Sequence, residues 1–298
     1  MRTLVKAAVL ILLAAFLPEP LRAADAASWE AVDKALGRPG KASPGGVQRY
    51  SWPRTDLAVS IGDVKVEAPL ALGSWAGFVG TTAQGEAMAM GDLVLLSSEV
   101  DPVIRALQAG GLDVFAVHNH LTGESPAIVY VHFGGHGSPE RMATALKAAL
   151  DTTKTPLAPP SASPAAGEKN AAFDEIQSAL GRQGTMAGRV LQISVPRASK
   201  IEEHGVEVPA SLGMSTALNF QAVGAQVATT GDFVLVASEV NPVIRELQAH
   251  GIRVTALHSH MLEETPRLFF MHFWGVGSPD QIGAGLKAAL SKVAVRKD

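Results

Sequence analysis

A chain of 298 residues with a formal net charge of −3 and no cysteine is long enough for two ordinary domains, each with its own core. The absence of cysteine excludes disulfides, thiolate metal ligands, cysteine nucleophiles and a thioether-linked lipid anchor, which leaves histidine and carboxylate for metal chemistry. Lysines and arginines are scattered singly, without the basic stripe of a nucleic-acid binder, and the two tyrosines argue against a base- or sugar-stacking platform.

Arg2 and Lys6 precede the apolar run Ala7 to Leu17, and small residues follow around Ala23 to Ala27. This reads as a cleavable export signal over residues 1–26, and a soluble periplasmic or secreted mature protein is expected. The run is too short to cross a bilayer, and no later stretch approaches the roughly 20 apolar residues a membrane helix needs, so no membrane span is expected.

The segment Gly91 to Leu150 aligns with Gly231 to Leu290 at a constant offset of 140, and 32 of its 60 positions are identical. Leu36-Gly37-Arg38 is echoed in Leu180-Gly181-Arg182, and Pro53-Arg54 in Pro196-Arg197. The chain is a tandem duplication: repeat domain 1 at 28–150, a Pro/Ala/Ser-rich linker at 151–169 that cannot build a core, and repeat domain 2 at 170–298. The two repeats are expected to pack on each other.

Each repeat opens with a short helix, Trp29 to Leu36 and Phe173 to Leu180, apolar at helical spacing. Strands follow at Asp56 to Ile61, Trp75 to Gly80 and Asp92 to Ser97. Asp101-Pro102 and Asn241-Pro242 pair an N-cap residue with proline at the first helical position, opening Val103 to Ala109. Strand Leu112 to Leu121, a turn around Gly123 to Pro126 and strand Ala127 to Phe133 form a hairpin, and Ser138-Pro139 caps a terminal helix. The class is α+β: two homologous domains, each a mainly antiparallel sheet with a few short helices.

Of nine histidines, six fall at repeated positions: His118, His120 and His132, then His258, His260 and His272. The strand period of two puts His118 and His120 on one face, and the returning strand brings His132 toward them. Leu112, Val114 and Ala116 are expected to share that face and bury the base of the site. Three imidazoles per repeat suit Zn²⁺ or another divalent transition metal. Glu124 and Glu264, also repeated, are the candidate catalytic carboxylates, as fourth ligand, as partner of an imidazole N–H, or as general base; a solvated turn residue is the plainer alternative. Glu99 and Glu239 read as fixing loop amides near a helix start, Arg105 and Arg245 as structural ion-pair partners, and Asp92 and Asp232, each after a glycine, as turn residues. The unrepeated His136, His204 and His250 carry no pattern. No Gly-x-Ser-x-Gly elbow supports a serine hydrolase.

In Glu-Val-Asp-Pro-Val-Ile-Arg (99–105), Ala-Val-His-Asn-His-Leu (116–121), Val-His-Phe-Gly-Gly-His-Gly (131–137) and their second copies, the chain resembles the bacterial LppY/LpqO family, exported proteins of unassigned function. It departs from the lipoprotein members in lacking the anchoring cysteine. The His-x-His and later His of the hairpin are also similar to the zinc site of acetolactate decarboxylase and of PTD012-type ester hydrolases, a resemblance that implies zinc on His118, His120 and His132 and on their second-copy equivalents. The resulting expectation is an exported zinc-binding protein, either a hydrolase or lyase on a small substrate or a non-catalytic metal-binding or sensing module; an envelope interaction protein is the third alternative.

Overall fold

The computed structural model describes residues 26–81, 85–158 and 170–296. The segment read as an export signal lies outside the described residues except for Ala26, as does most of the predicted linker. Its beginning, residues 151–158, packs on the first half: Thr155 is buried, and Leu157 lies against the core.

The first half runs α1 (Ala26–Leu36), β1 (Lys41–Ser43), β2 (Val47–Pro53), β3 (Ser60–Ile61), β4 (Val64–Lys65), α2 (Ala68–Ala71), β5 (Gly73–Gly80), β6 (Ala87–Leu96), α3 (Ser97–Ala109), β7 (Asp113–His118), β8 (Glu124–Ser125), β9 (Ile128–Gly137) and α4 (Pro139–Leu150). The second runs α5 (Ala171–Leu180), β10 (Thr185–Ala187), β11 (Val190–Pro196), β12 (Glu202–Glu203), β13 (Val206–Glu207), β14 (Ser215–Val223), β15 (Gln226–Val236), α6 (Ala237–Ala249), β16 (Arg253–His258), β17 (Glu264–Thr265), β18 (Leu268–Gly277) and α7 (Pro279–Leu290). Each half holds a six-stranded sheet, β1-β2-β5-β6-β9-β7 or β10-β11-β14-β15-β18-β16, and a small three-stranded one, β4-β3-β8 or β13-β12-β17. The pairings of both large sheets are antiparallel.

Strand alternation gives each large sheet two apolar faces. In β6, Ala89, Leu93 and Leu95 face the helices, in one cluster with Val103, Leu107 and Leu146. The alternate residues Met88, Met90 and Val94 face the other half. Met88 and Met90 pack with Met214, Met261 and Phe270, while Val94 and Tyr130 share a cluster with Val190 and Trp274. The two sheets therefore meet along a seam with their helices outside, and the expectation that the repeats pack together is met. Polar side chains tie the seam to backbone that would otherwise be unpaired: Gln221 Nε2 donates to Lys65 O at 2.7 Å, Asn219 Nδ2 to Leu70 O at 3.0 Å, and Asn119 Nδ2 to Thr255 O at 2.9 Å.

The third helix starts six residues before the predicted Val103. Its first turn is held by the Glu99 carboxylate, which accepts from the Leu96 amide at 2.9 Å, so Asp101-Pro102 lies inside the helix rather than at its cap. The strand over Asp56 to Ile61 shrinks to Ser60–Ile61, while β2, at a position with no strand prediction, runs seven residues, Val47–Pro53, in the large sheet.

Candidate metal centre

The predicted hairpin forms: β7 and β9 pair antiparallel, with Ala116 opposite His132 and His118 opposite Tyr130. The pairing slips between Val114 and Ala116, and a bulge of this kind reverses which face the following side chains occupy. Leu112 and Val114 consequently pack among the helices, while Ala116 and His118 face the seam. The expectation that Leu112, Val114 and Ala116 form one face with the histidines is corrected here: one bulge residue, Phe115, divides them. The second half repeats the slip between Val254 and Ala256.

Asp92 and Asp232 are corrected too. Asp92 is not a turn residue: it sits mid-strand in β6, directly opposite His132, as Asp232 in β15 is opposite His272. The preceding glycine serves close packing. A Cβ on Gly91 would collide with the Trp75 carbonyl oxygen and come within 2.5 Å of the Phe133 ring, and Gly231 is crowded in the same way by Ala217. The Gly91→Ala variant is expected to lose about 1–3 kcal/mol of stability by forcing β5 away from β6, several degrees of melting temperature, measured by thermal denaturation; an unchanged melting point would contradict the close approach.

Six histidines and two aspartates converge where the seam crosses these strands. Within each half the rings stand at co-ligation distances: His118–His120 5.0 Å and His118–His132 4.8 Å between ring centroids, matched by His258–His260 5.1 Å and His258–His272 4.8 Å. Two imidazoles bound to one zinc at 2.0–2.1 Å have centroids roughly 5 Å apart. Across the seam three pairs approach more closely, His118 stacked on His258 and His120 on His272 at 3.7 Å and His132 tilted against His260 at 3.8 Å, while His118–His272 and His132–His258 stand 5.5 and 5.3 Å apart. The outer faces are backed by aromatic rings, Tyr130 on His120 and Phe270 on His260, both at 3.4 Å.

Second contacts orient the rings. His132 Nδ1 lies 3.3 Å from the Gly91 carbonyl and His272 Nδ1 2.8 Å from that of Gly231. A carbonyl only accepts, so Nδ1 carries the hydrogen and Nε2 keeps its lone pair toward the cluster. His120 Nε2 approaches Asp92 Oδ2 at 3.2 Å and His260 Nε2 approaches Asp232 Oδ2 at 3.0 Å, yet neither nitrogen makes a hydrogen bond. Spacing without hydrogen-bond geometry suits two ligands of one cation, whose donor atoms stand roughly 3.3 Å apart around a tetrahedral zinc.

Burial, then crowding by neighbouring imidazoles, pushes His118, His132 and His260 well below the ordinary imidazole range; in His120 and His272 the same causes outweigh the opposing charge of Asp232. These rings are neutral and able to donate a lone pair. Burial, opposed by His258 and reinforced by Asp232, pushes the Asp92 carboxyl up to about 8. Ten buried atoms of the cluster lack a hydrogen-bond partner, among them both nitrogens of His118, both of His260, Nε2 of His120, His132, His258 and His272, and Oδ1 of both aspartates. Orphaned buried polar atoms cost about 1–3 kcal/mol each, so their concentration at one point fits a group that is bound there. The donors fall into sets with ligand atoms within 4.8 Å of one another: Asp92, His118, His120 and His132; His118, His258 and His272; His132, His258 and His260. These buried clusters could hold a metal.

Glu124 and Glu264 are in none of these sets. Glu124 Oε1 accepts from the Ile128 amide at 3.2 Å and Glu264 Oε1 from that of Leu268 at 2.8 Å, while Glu264 Oε2 pairs with Arg267 at 3.3 Å. Their positions secure the start of the returning strand. Arg105 makes the expected exposed ion pair, with Asp101 at 2.9 Å, and Arg245 is exposed. Glu99 and Glu239 do bind loop amides, but their main partners were not anticipated: Arg54 and Arg197, buried, at 2.7 and 2.6 Å. The repeated Pro-Arg pairs were the available signal.

No curated protein matches the chain. Two solved structures show weak likeness. A trimeric bacterial microcompartment shell protein, PduB, is 12% identical at TM-score 0.22, covering 87% of this chain and 96% of its own. EtuB from Clostridium kluyveri is 9% identical at TM-score 0.20, covering 84% and 90%. Neither similarity is close enough to inform fold or chemistry. A family model, by contrast, matches both halves, over residues 30–152 and 174–292, and the chain belongs to that family, described as Domain of Unknown Function (DUF1259).

Proposed function

We propose that this is an exported metal-binding protein that holds two divalent transition-metal ions, zinc foremost, side by side in the seam, one on each repeat's three histidines. Asp92 and Asp232 complete the two sets as fourth ligands. The observation that carries the reading is the group of ten sealed, unpartnered donor atoms. Three imidazoles and a carboxylate make a closed four-ligand site, the form that structural and sensing sites take, and histidine with carboxylate suits zinc and its neighbours. Export rests on the leader-like first residues and on the resemblance to the LppY/LpqO family; the likeness of the hairpin to the acetolactate decarboxylase and PTD012-type zinc sites supports the three-histidine sets.

A second reading, a metal-dependent hydrolase or lyase on a small substrate, is supported by the likeness of the three-histidine hairpin to the zinc sites of acetolactate decarboxylase and PTD012-type ester hydrolases, and by the carboxylate of Asp92 standing directly opposite His132. In that reading Asp92, buried opposite His132, is an acid-base candidate beside Glu124 and Glu264. Zinc would supply Lewis acidity, and the chain's own carboxylates would accept and return the proton.

Metal content by elemental mass spectrometry, on full chain purified without an affinity tag, tests the proposal: about two tightly held ions per chain are expected. No metal, even after zinc loading, would overturn it. Hydrolysis of a model ester that stops on chelation and returns with zinc would select the second reading.

A further inference from the structure

We propose a separate cation site at one end of the seam, formed by His136, Glu203 and His204 and suited to a divalent first-row transition ion such as Zn²⁺. It is assembled from both halves and exists at one end only, which is what identifies it.

The duplication allows a residue-by-residue comparison of the two ends. His136 corresponds to Val276 at the repeat offset of 140. Glu203 lies opposite Glu264 in the β12–β17 pairing, where Ile61 lies opposite Glu124 in β3–β8, so Glu203 corresponds to Ile61 and His204 to Gly62. Ile61 and Val276 belong to one apolar cluster. The same contact at the other end is therefore made by a histidine and a glutamate, with His136 Nε2 and Glu203 Oε2 3.9 Å apart. Next to it, Gly62 takes a positive φ of 55°, and His204 takes 50°, the one non-glycine residue to do so among those described. A side chain in this conformation costs on the order of 1 kcal/mol or more and persists where something compensates.

His136 stands beside both of the other two replacements, although the three donor atoms are not gathered within 4.8 Å of one another as those of the central cluster are, so the exposed His204 ring has to turn inward to join an ion. The His136 and His204 rings lie 5.1 Å apart and nearly perpendicular, at 83°, close to the roughly 5 Å separation of two imidazoles on one ion. Glu203 is 4% exposed and faces Glu264, also buried at 5%, directly across the strand pair; like charges so placed repel. Burial, together with Glu264, Glu263 and Asp113, raises the Glu203 carboxyl against the opposing influence of His204. Glu263 Oε2 is 3.6 Å from His204 Nδ1, and the Arg267 guanidinium is paired with Glu264. The surroundings are thus rich in carboxylate, and an added cation would relieve the repulsion. Two imidazoles and one carboxylate select borderline divalent metals over Ca²⁺ or Mg²⁺ and leave coordination positions open. Unlike the sealed central cluster, the His136 and His204 side chains are 35% and 55% exposed, so this ion exchanges with solvent.

The test is a calorimetric zinc titration of metal-stripped full-length chain against the variant His136→Val, Glu203→Ile, His204→Gly. Those residues are the ones the other end already packs, and circular dichroism checks the fold. The variant is expected to bind one zinc fewer, the weakest and most readily exchanged, with uptake at the central cluster unchanged. Glu203→Gln alone should weaken that ion by about tenfold or more and decides the question if the triple variant does not fold. Equal stoichiometry and affinity in the wild type and Glu203→Gln would overturn the site. Absence of the two tight ions with retention of the exchangeable one would overturn only the reading of the central cluster.

Discussion

The triple variant His118→Ala, His120→Ala, His132→Ala is expected to hold one ion fewer in the central cluster than the wild type, and to gain correspondingly less melting temperature from zinc. The eight donors admit two divisions. In one, each ion takes its ligands from a single repeat; in the other, the sets cross the seam, as His118 with His258 and His272 could. The first repeat supplies a complete set of four donors within 4.8 Å of one another, Asp92, His118, His120 and His132, which favours the first division; across the seam His118–His272 at 5.5 Å and His132–His258 at 5.3 Å are the pairs that would serve the second. Elemental mass spectrometry separates the cases: loss of one ion supports repeat-wise sets, and loss of both requires crossed ones. A ligand at a thousand times its dissociation constant stabilises the folded state by about 4 kcal/mol, which for a chain of this size corresponds to a melting shift on the order of 10 °C per site. Chelation should remove the shift in the wild type, and a melting point indifferent to both zinc and chelator would count against the centre.

The second large effect is expected far from the histidines. Glu99→Ala should destabilise the first half by about 2–4 kcal/mol, because it removes one of the two carboxylates that pair a buried guanidinium and leaves amides unsatisfied. Arg54 has no exposed side-chain surface, and its guanidinium meets Glu99 at 2.7 Å and Asp56 at 2.9 Å. The same carboxylate accepts from the amides of Leu96 and Lys154, both at 2.9 Å, so its removal leaves two amides unsatisfied as well. Burial works against the Glu99 charge, but Arg54 and the two amides outweigh it and hold the carboxyl below its usual value. A carboxyl depressed in the folded state stabilises fully above the unfolded value, about 4.3, and the contribution disappears as pH falls through the folded one. Denaturant unfolding should therefore show stability lost in the wild type below about pH 4 and a flatter curve in Glu99→Gln. Equal midpoints for wild type and Glu99→Ala at pH 7 would contradict the argument. Glu239, which pairs with Arg197 and the Ala294 amide, should behave likewise.

The duplication, the α+β class, the hairpin and the six histidines could be read from the chain, because offset, alternation and spacing are local patterns. The helix beginning at Ser97 was misplaced for a local reason as well: Asp101-Pro102 has the form of a helix start, but the Glu99 side chain supplies the cap two residues earlier. β2 is buried at Val47, Tyr50 and Trp52, positions that do not alternate strictly, and so it left no period to detect.

Along the chain alone, residue identity determined which atoms are available: imidazole and carboxylate donors, no thiolate, in two equal sets. Tertiary structure decided that the sets meet, since the seam joins residues about 140 positions apart and no local pattern carries that contact. It also decided which residues share the site face, because one bulge at Phe115 exchanges the two faces of a strand. Finally, it changed the meaning of the Gly-Asp pairs: a carboxylate after glycine reads as a turn until a neighbouring strand closes over the glycine and an imidazole stands opposite the acid. Ligand type is a property of single residues, whereas convergence and burial are properties of packing.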